Sequence, residues 1–354
     1  MSEPRVLIAA GGTAGHVVPA IAVADALRAE GADVRFAGGQ RAEADLVPAA
    51  GYELDLLKVE GISRSNPLKA VRAVLKAGLA LGAAGRLLRR HDADVVLGGG
   101  GYVAGPVGLA AVLRGTPLVL TEADSHLGLT NRMLAARARR VCLAFPIEGR
   151  TSERYMLTGR PVPPTVEDRA GARAQFGLED GETAVLVFGG SLGARSINEA
   201  SVRAFAGAPY RILHVAGRRD FDSLQAPGPH YVLRDYVVPF GAALAASDLA
   251  VARAGGSVFE LAQYGLPSVL IPYPHASGNH QEANARWMER AGAAVVLPDA
   301  ELTAERLRAE IDALVADADR RAAMTAAAAR LARPDAARTI AREVLAAADR
   351  GSQN

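Results

Sequence analysis

The stretch "VLIAAGGTAGHVVPAIAVADALRAEG", residues 6–31, decides how the chain folds. An apolar run of strand length empties into Gly11-Gly12-Thr13-Ala14-Gly15, meets His16, and becomes an Ala-rich helical pattern. Strand, glycine turn and helix in that order bring backbone N–H groups and the positive end of a helix dipole to one point, an arrangement suited to holding a phosphate. A histidine stands where a dinucleotide fingerprint carries another small residue. Its position raises the question of chemistry at that point.

Working outward, the same pattern repeats. Strands are predicted near residues 5–10, 33–37, 94–98, 117–121, 140–144 and 155–158, and again near 183–188, 211–215, 231–233, 248–252, 268–271 and 294–297. Apolar strands alternating with helices imply parallel sheets covered on both faces, with right-handed crossovers. Two successive sets of six imply two doubly wound α/β domains, as a length of 354 residues also suggests. The break falls in "GRPVPPTVEDRAG", where Pro161, Pro163 and Pro164 can continue neither a helix nor a central strand. The expected domains are residues 1–162 and 163–334. Beyond Pro334, a last helix within 335–350 is expected to cross back to the first domain.

Composition narrows the class. Half the residues are apolar and 22% are charged, which fits a globular chain. A net charge of +2 does not propose nucleic acid. Cys142 is the only cysteine, so no intrachain disulfide forms and a reducing compartment is expected. The N-terminal apolar run is too short for a signal sequence and no stretch is long enough to span a bilayer, so any membrane contact is expected to be peripheral.

Three glycine loops follow predicted strands: Gly11–Gly15, "LGGGGYVAGP" at 97–106, and "FGGSLGARSIN" at 188–198. Tight strand–helix turns need glycine for steric reasons alone, so any one loop is weak evidence; three at equivalent places weigh more. None carries a P-loop lysine. The first lacks G-x-G-x-x-G spacing, and "AGGQRAEAD" offers no acidic residue directly after the second strand to bind a ribose. A fourth segment, "RAGGSVFEL" at 253–261, starts a helix after Ser257 and sets Glu260 one turn in, suited to accept hydrogen bonds from ribose hydroxyls. Asp92-Ala93-Asp94 forms a D-x-D pattern but stands before a strand, where it ends a helix and solvates a turn. His91, His214, His230, His275 and His280 show no metal-ligand spacing, so no metal is expected. Residues 66–90 can set Leu68, Val71, Leu75 and Leu79 on one helix face, flanked by Lys69, Arg72, Lys76, Arg86, Arg89 and Arg90. Such a face packs on a core or lies on anionic lipid.

Taken together, "GGTAGHVVPAIAVADAL", "GGYVAGPVGLAA", "LGLTNRMLA", "GGSLGARSIN", "RAGGSVFEL" and "HQEANARWMERAGAA" resemble the MurG family, in the family's order and over nearly the whole chain. The resemblance implies a GT-B glycosyltransferase: two Rossmann-like domains facing across a cleft, moving N-acetylglucosamine from UDP-N-acetylglucosamine to lipid I at the cytoplasmic face of the membrane, with inversion and without a cofactor. By position it implies that Thr13, Ala14 and Gly15 meet the donor, Ser191 holds its diphosphate, and Val237 lies along the uracil. Gly256, Ser257, Val258, Phe259 and Glu260 would take the α-phosphate and ribose, and Gln281 and Asn284 the sugar hydroxyls.

His16 is the histidine beside the reacting sugar in that scheme, and near-neutral imidazoles suit proton removal; packing within the loop is the alternative. Glu122 and Asp124 are rival bases, and Asp124 also stands among the expected donor contacts. The sequence departs from the family at Thr121-Glu122-Ala123-Asp124 and at Gly159-Arg160-Pro161-Val162-Pro163, where Arg160 would supply a cation otherwise missing from the donor contacts. Another UDP-sugar enzyme of the same architecture, such as a lipid or natural-product glycosyltransferase or a non-hydrolysing 2-epimerase, is the alternative reading.

Overall fold

A computed structural model describes residues 3–57, 67–190 and 192–351; the side chains at 67–78, 277, 350 and 351 lie outside the description. Internal contacts divide the chain after Val162 and again after Ala332 into two units.

Among the described residues, the first unit carries seven parallel strands: β1 (Arg5–Ala9), β2 (Asp33–Gly38), β3 (Leu54–Leu56), β4 (Val95–Gly98), β5 (Leu118–Glu122), β6 (Arg140–Leu143) and β7 (Tyr155–Leu157). Their order is β3-β2-β1-β4-β5-β6-β7, so the winding reverses between β1 and β4, which pair from Val6 against Val95. Helices α1 (Ala14–Ala29), α2 (Ala42–Ala49), α3 (Pro67–Arg90), α4 (Gly101–Arg114) and α5 (Leu129–Leu134) connect them. The central strands are apolar at successive positions because both faces are covered: Leu7, Ile8, Val96 and Leu97 are no more than 1% exposed.

The strand count corrects the expected six. β3 is three residues long, has Asp55 at its centre and pairs with β2 alone at the sheet's edge, so it lacks the apolar run by which the other strands are recognised. Asp92 and Asp94 do end a helix and enter a turn, but they are not merely solvated: Arg5 bonds both, at 2.7 Å to Asp92 and 2.9 Å to Asp94. That guanidinium holds the Asp94 carboxyl below its ordinary range.

The second unit carries β8 (Ala184–Phe188), β9 (Arg211–Val215), β10 (Tyr231–Arg234), β11 (Leu249–Ala252), β12 (Ser268–Leu270) and β13 (Ala294–Val296). All are parallel, in the order β10-β9-β8-β11-β12-β13, and the winding reverses between β8 and β11. Its helices are α6 (Arg169–Gln175), α7 (Arg195–Ala204), α8 (Phe240–Ala246), α9 (Val258–Gln263), α10 (His280–Arg290), α11 (Ala304–Ala316) and α12 (Ala318–Leu331). The last helix, α13 (Ala336–Gly351), belongs to the first unit. Ile340 and Val344 on α13 share one core cluster with Val17, Val23 and Leu27 of α1, and Arg140 bonds Glu343 at 2.5 Å. Arg333 and Pro334 also lie with the first unit, so the boundary falls two residues before the expected one; the Arg333 Cβ crowds Gly159, whose φ of +78° and lack of a side chain permit the approach.

Candidate active site

In open α/β sheets, ligands bind at the carboxyl ends of strands where the winding reverses. In the first unit this point is flanked by the loops after β1 and β4, two of the glycine loops. They press on each other: a Cβ on Gly101 would lie 1.8 Å from the Gly11 carbonyl oxygen, and Gly101 has a φ of +77°. Steric need thus accounts for several of these glycines. What joins the loops is Glu43, whose carboxylate is fully buried. It accepts the Gly12 N–H at 2.8 Å, the Gly39 N–H at 2.9 Å and the Tyr102 hydroxyl at 2.8 Å. Burial opposes its ionisation, but these donors outweigh it and hold the pKa below the ordinary glutamate value.

Thr13, Ala14 and Gly15 are exposed at the start of α1, where no side chain caps the helix. His16 sits in the same first turn, half-buried, its Nδ1 against Gly100, where a Cβ would come within 2.8 Å. Arg160 donates to the Gly15 carbonyl at 2.5 Å, so the arginine of the Gly-Arg-Pro segment turns back onto the first loop. Burial and the Arg160 charge lower the His16 pKa while Asp124 opposes them. The ring is therefore neutral at neutral pH, with a lone pair free to take a proton. His16, Glu122 and Arg160 line one concavity with Thr121 and Gly99.

Glu122 and Asp124 differ in kind. Glu122 is 6% exposed; it accepts from the Asp124 N–H at 3.2 Å, the Gly128 N–H at 2.8 Å and Asn131 Nδ2 at 2.8 Å. Burial raises its pKa against those bonds, and both oxygens are engaged in shaping the loop that presents Asp124. As a rival base, Glu122 is better described as the staple of that loop.

In the second unit the reversal point lies between the loops after β8 and β11. Ser191 lies outside the described residues. Helix α7 begins after Ala194 with no side-chain cap, leaving first-turn N–H groups to point at a groove lined by Gly190, Arg195, Arg219, Arg253, Tyr273 and Gln281. Arg253 leaves β11 and ties the first turn of α7 to the segments after β12 and β13: it bonds Asp299 at 2.6 Å, Ser196 Oγ at 2.8 Å and the Ile271 carbonyl at 3.1 Å. Gln281 accepts the Tyr273 N–H at 2.9 Å, which fixes its amide at the groove wall.

Other expected residues stand further back. Gly256, Ser257 and Glu260 are half-buried at the start of α9. The side chains of Val258 and Phe259 are in the core, Phe259 against Trp287 at 5.3 Å, so only their backbone can meet a ligand. Val237 is likewise 7% exposed. Asn284 is buried and donates to the Ala254 carbonyl at 3.0 Å, placing it behind the loop that it fastens rather than on the groove wall. Among the described residues, no three His, Cys, Asp or Glu side chains gather as metal ligands.

Residues 6–143 match the glycosyltransferase family 28 N-terminal domain and residues 184–340 the glycosyltransferase family 28 C-terminal domain. With two reversal-point sites on two Rossmann-like sheets, the chain is a GT-B glycosyltransferase of that family. It is 43% identical to the UDP-N-acetylglucosamine–N-acetylmuramyl-(pentapeptide) pyrophosphoryl-undecaprenol N-acetylglucosamine transferase of Moorella thermoacetica, over 98% of this chain and 100% of that protein. It is 42% identical to the same transferase of Salinibacter ruber, over 99% of each. The crystal structure of Acinetobacter baumannii MurG superposes with a TM-score of 0.80 at 29% identity, covering 97% of this chain and 99% of that one. The chain belongs to the MurG family.

Proposed function

We propose that the chain transfers N-acetylglucosamine from UDP-N-acetylglucosamine to lipid I, forming lipid II for peptidoglycan synthesis. The observation that carries this reading is the full-length similarity to transferases of that name at 43% and 42% identity. The acceptor hydroxyl attacks the anomeric carbon, the bond from that carbon to the UDP oxygen breaks, and the hydroxyl proton passes to the neutral imidazole of His16. Arg160, bonded to the Gly15 carbonyl, helps keep that imidazole unprotonated. The leaving diphosphate is stabilised by the first-turn N–H groups of α7 and by Arg195, Arg219 and Arg253. With those cations in place the reaction proceeds without a divalent metal.

The enzyme works at the cytoplasmic face of the membrane, on which it lies peripherally. Supporting this, Leu79 of α3, Leu113 of α4 and Met133 of α5 are 75%, 69% and 71% exposed, on helices that pack on one another, with Arg86, Arg89, Arg114 and Arg132 exposed nearby in sequence. The side chains of Lys69, Arg72 and Lys76 lie outside the description. Among the described residues no helix is long and apolar enough to cross a membrane. Incubation with UDP-N-acetylglucosamine and a lipid I analogue tests the activity: UDP should be released only when both are present. Conversion of the donor alone would indicate an epimerase, and no release at all would indicate a binding protein.

A further inference from the structure

Beneath the second unit's groove runs a chain of buried polar side chains that the proposed reaction does not itself require. Asp220 is 4% exposed, yet it carries a carboxylate. Arg219 grips it with two prongs, Nε to one oxygen and Nη2 to the other, each at 2.8 Å. Arg195 approaches the first of these oxygens at 3.7 Å, and Asn198 Nδ2 donates to the second at 3.2 Å. Both arginines line the groove. The buried carboxylate is therefore the common anchor of two cations facing the place where a ligand's anion would lie.

The network behind Asp220 has a defined direction. Asn198 Nδ2 also donates to the Ala216 carbonyl at 2.9 Å, so with two acceptors before it the amide nitrogen is fixed and Oδ1 must accept. The partner of Oδ1 is His214 Nε2 at 3.0 Å, which must then carry the proton. His214 Nδ1 is left to accept from the Tyr231 hydroxyl at 2.7 Å. His214 is wholly buried among strands, and that burial drops its pKa to about 3, so the ring stays neutral. The order Tyr231 to His214 to Asn198 to Asp220 thus points hydrogen-bond donors one way and ends on a carboxylate. Gly193 and Gly217 hold the two loops in contact above it: a Cβ on Gly193 would come 2.0 Å from the Ala216 carbonyl oxygen.

We infer that Asp220 is a positioning residue for diphosphate binding, holding Arg219 with its guanidinium aimed into the groove and steadying Arg195 beside it. An unanchored arginine on an exposed turn loses rotamer freedom when it meets a phosphate; one already gripped at two points has lost most of it beforehand. About half of the Arg219 side chain remains exposed, 51%, so its remaining N–H groups are free to face an anion while two of its nitrogens serve Asp220. The inference rests on the reading of this groove as the donor's diphosphate site.

Calorimetric titration of the full chain with UDP and with uridine tests it. Arg219→Ala and Asp220→Asn should each weaken UDP binding by roughly 10- to 100-fold, the loss of a charge-assisted contact, and leave uridine affinity unchanged. The double variant should lose less than the sum of the two single losses, because Asp220 acts chiefly through Arg219, with a smaller part through Arg195. Arg219→Lys keeps the charge but cannot fill the two-pronged grip, so it should recover only part of the affinity; this arm decides the matter even where Asp220→Asn does not fold. Full recovery with lysine, additive losses in the double variant, or equal losses for uridine would overturn the inference and leave the donor site standing. If the unaltered chain does not bind UDP, the donor site and the inference fall together.

Discussion

Replacing Glu43 by glutamine removes one charge and one acceptor from the point where the first unit's loops meet. The carboxylate serves three donors: Gly39 N–H and the Tyr102 hydroxyl on one oxygen, Gly12 N–H on the other. An amide has only one oxygen, so whichever way it turns, its NH2 confronts at least one donor. A charge-assisted bond is worth about 1.5–3 kcal/mol and an orphaned buried donor about 1–3 kcal/mol. Allowing for partial relaxation, the local loss is about 2–4 kcal/mol. Amide hydrogen exchange reads this directly, since the Gly12 and Gly39 amides should open and exchange roughly 30- to 1,000-fold faster at that loss. Amides of the second unit should be unaffected. Because the folded pKa of Glu43 lies below its unfolded value, its contribution is present above the ordinary glutamate range of about pH 4.3 and is lost as pH falls through the folded value. The difference between variant and parent should therefore shrink in acid. Equal exchange at Gly12 and Gly39 in both proteins at neutral pH would refute the account of these loops.

The remaining expectations concern the reaction and the membrane. His16→Ala should lower kcat by about 10²- to 10⁴-fold with little change in UDP affinity; a fall of only a few-fold would reduce His16 to a loop residue and favour Asp124. The charge of Arg160 lowers the His16 pKa, so Arg160→Ala should move the acid limb of the kcat profile to higher pH, and a limb that stays put would contradict that coupling. Turnover should persist in a chelator, and loss restored by magnesium or manganese would overturn the metal-free reading. Reversing Arg86, Arg89 and Arg114 should weaken sedimentation with anionic vesicles by about 1 kcal/mol per charge, in a salt-dependent way; unchanged sedimentation would count against these helices as the lipid-facing surface.

Much of the fold is legible in the sequence because both sheets are parallel and covered on both faces. Runs such as "VLIA" at 6–9 and "AVLVF" at 184–188 are apolar throughout and lead into glycine within two residues, so strand and turn declare themselves together. β3 escapes because an edge strand pairs on one side alone and tolerates an acidic centre. The glycine loops and His16 are legible for the same local reason: loop and helix start are contiguous. Glu43, Arg253 and Asp220 are not. Glu43 meets Gly12 across 31 positions and Tyr102 across 59, and "AGGQRAEAD" gives no sign that its glutamate turns inward. Arg253 offered a faint signal in its place just before Gly255-Gly256, at the end of a strand beside a reversal point. Asn284 and Phe259 show the reverse, since residues in a ligand-like motif also build the loop's support. A motif records spacing along the chain and not the direction of each side chain.

The central claim is inverting transfer of N-acetylglucosamine to a lipid-linked muramyl acceptor. It is tested most directly by the linkage in the product. The purified chain is incubated with UDP-N-acetylglucosamine and a lipid I analogue, and the anomeric configuration of the product is read by proton magnetic resonance. The account predicts one added N-acetylglucosamine on the muramyl sugar, in β linkage from the α-linked donor; an α linkage, or donor epimerised with the acceptor untouched, would contradict it.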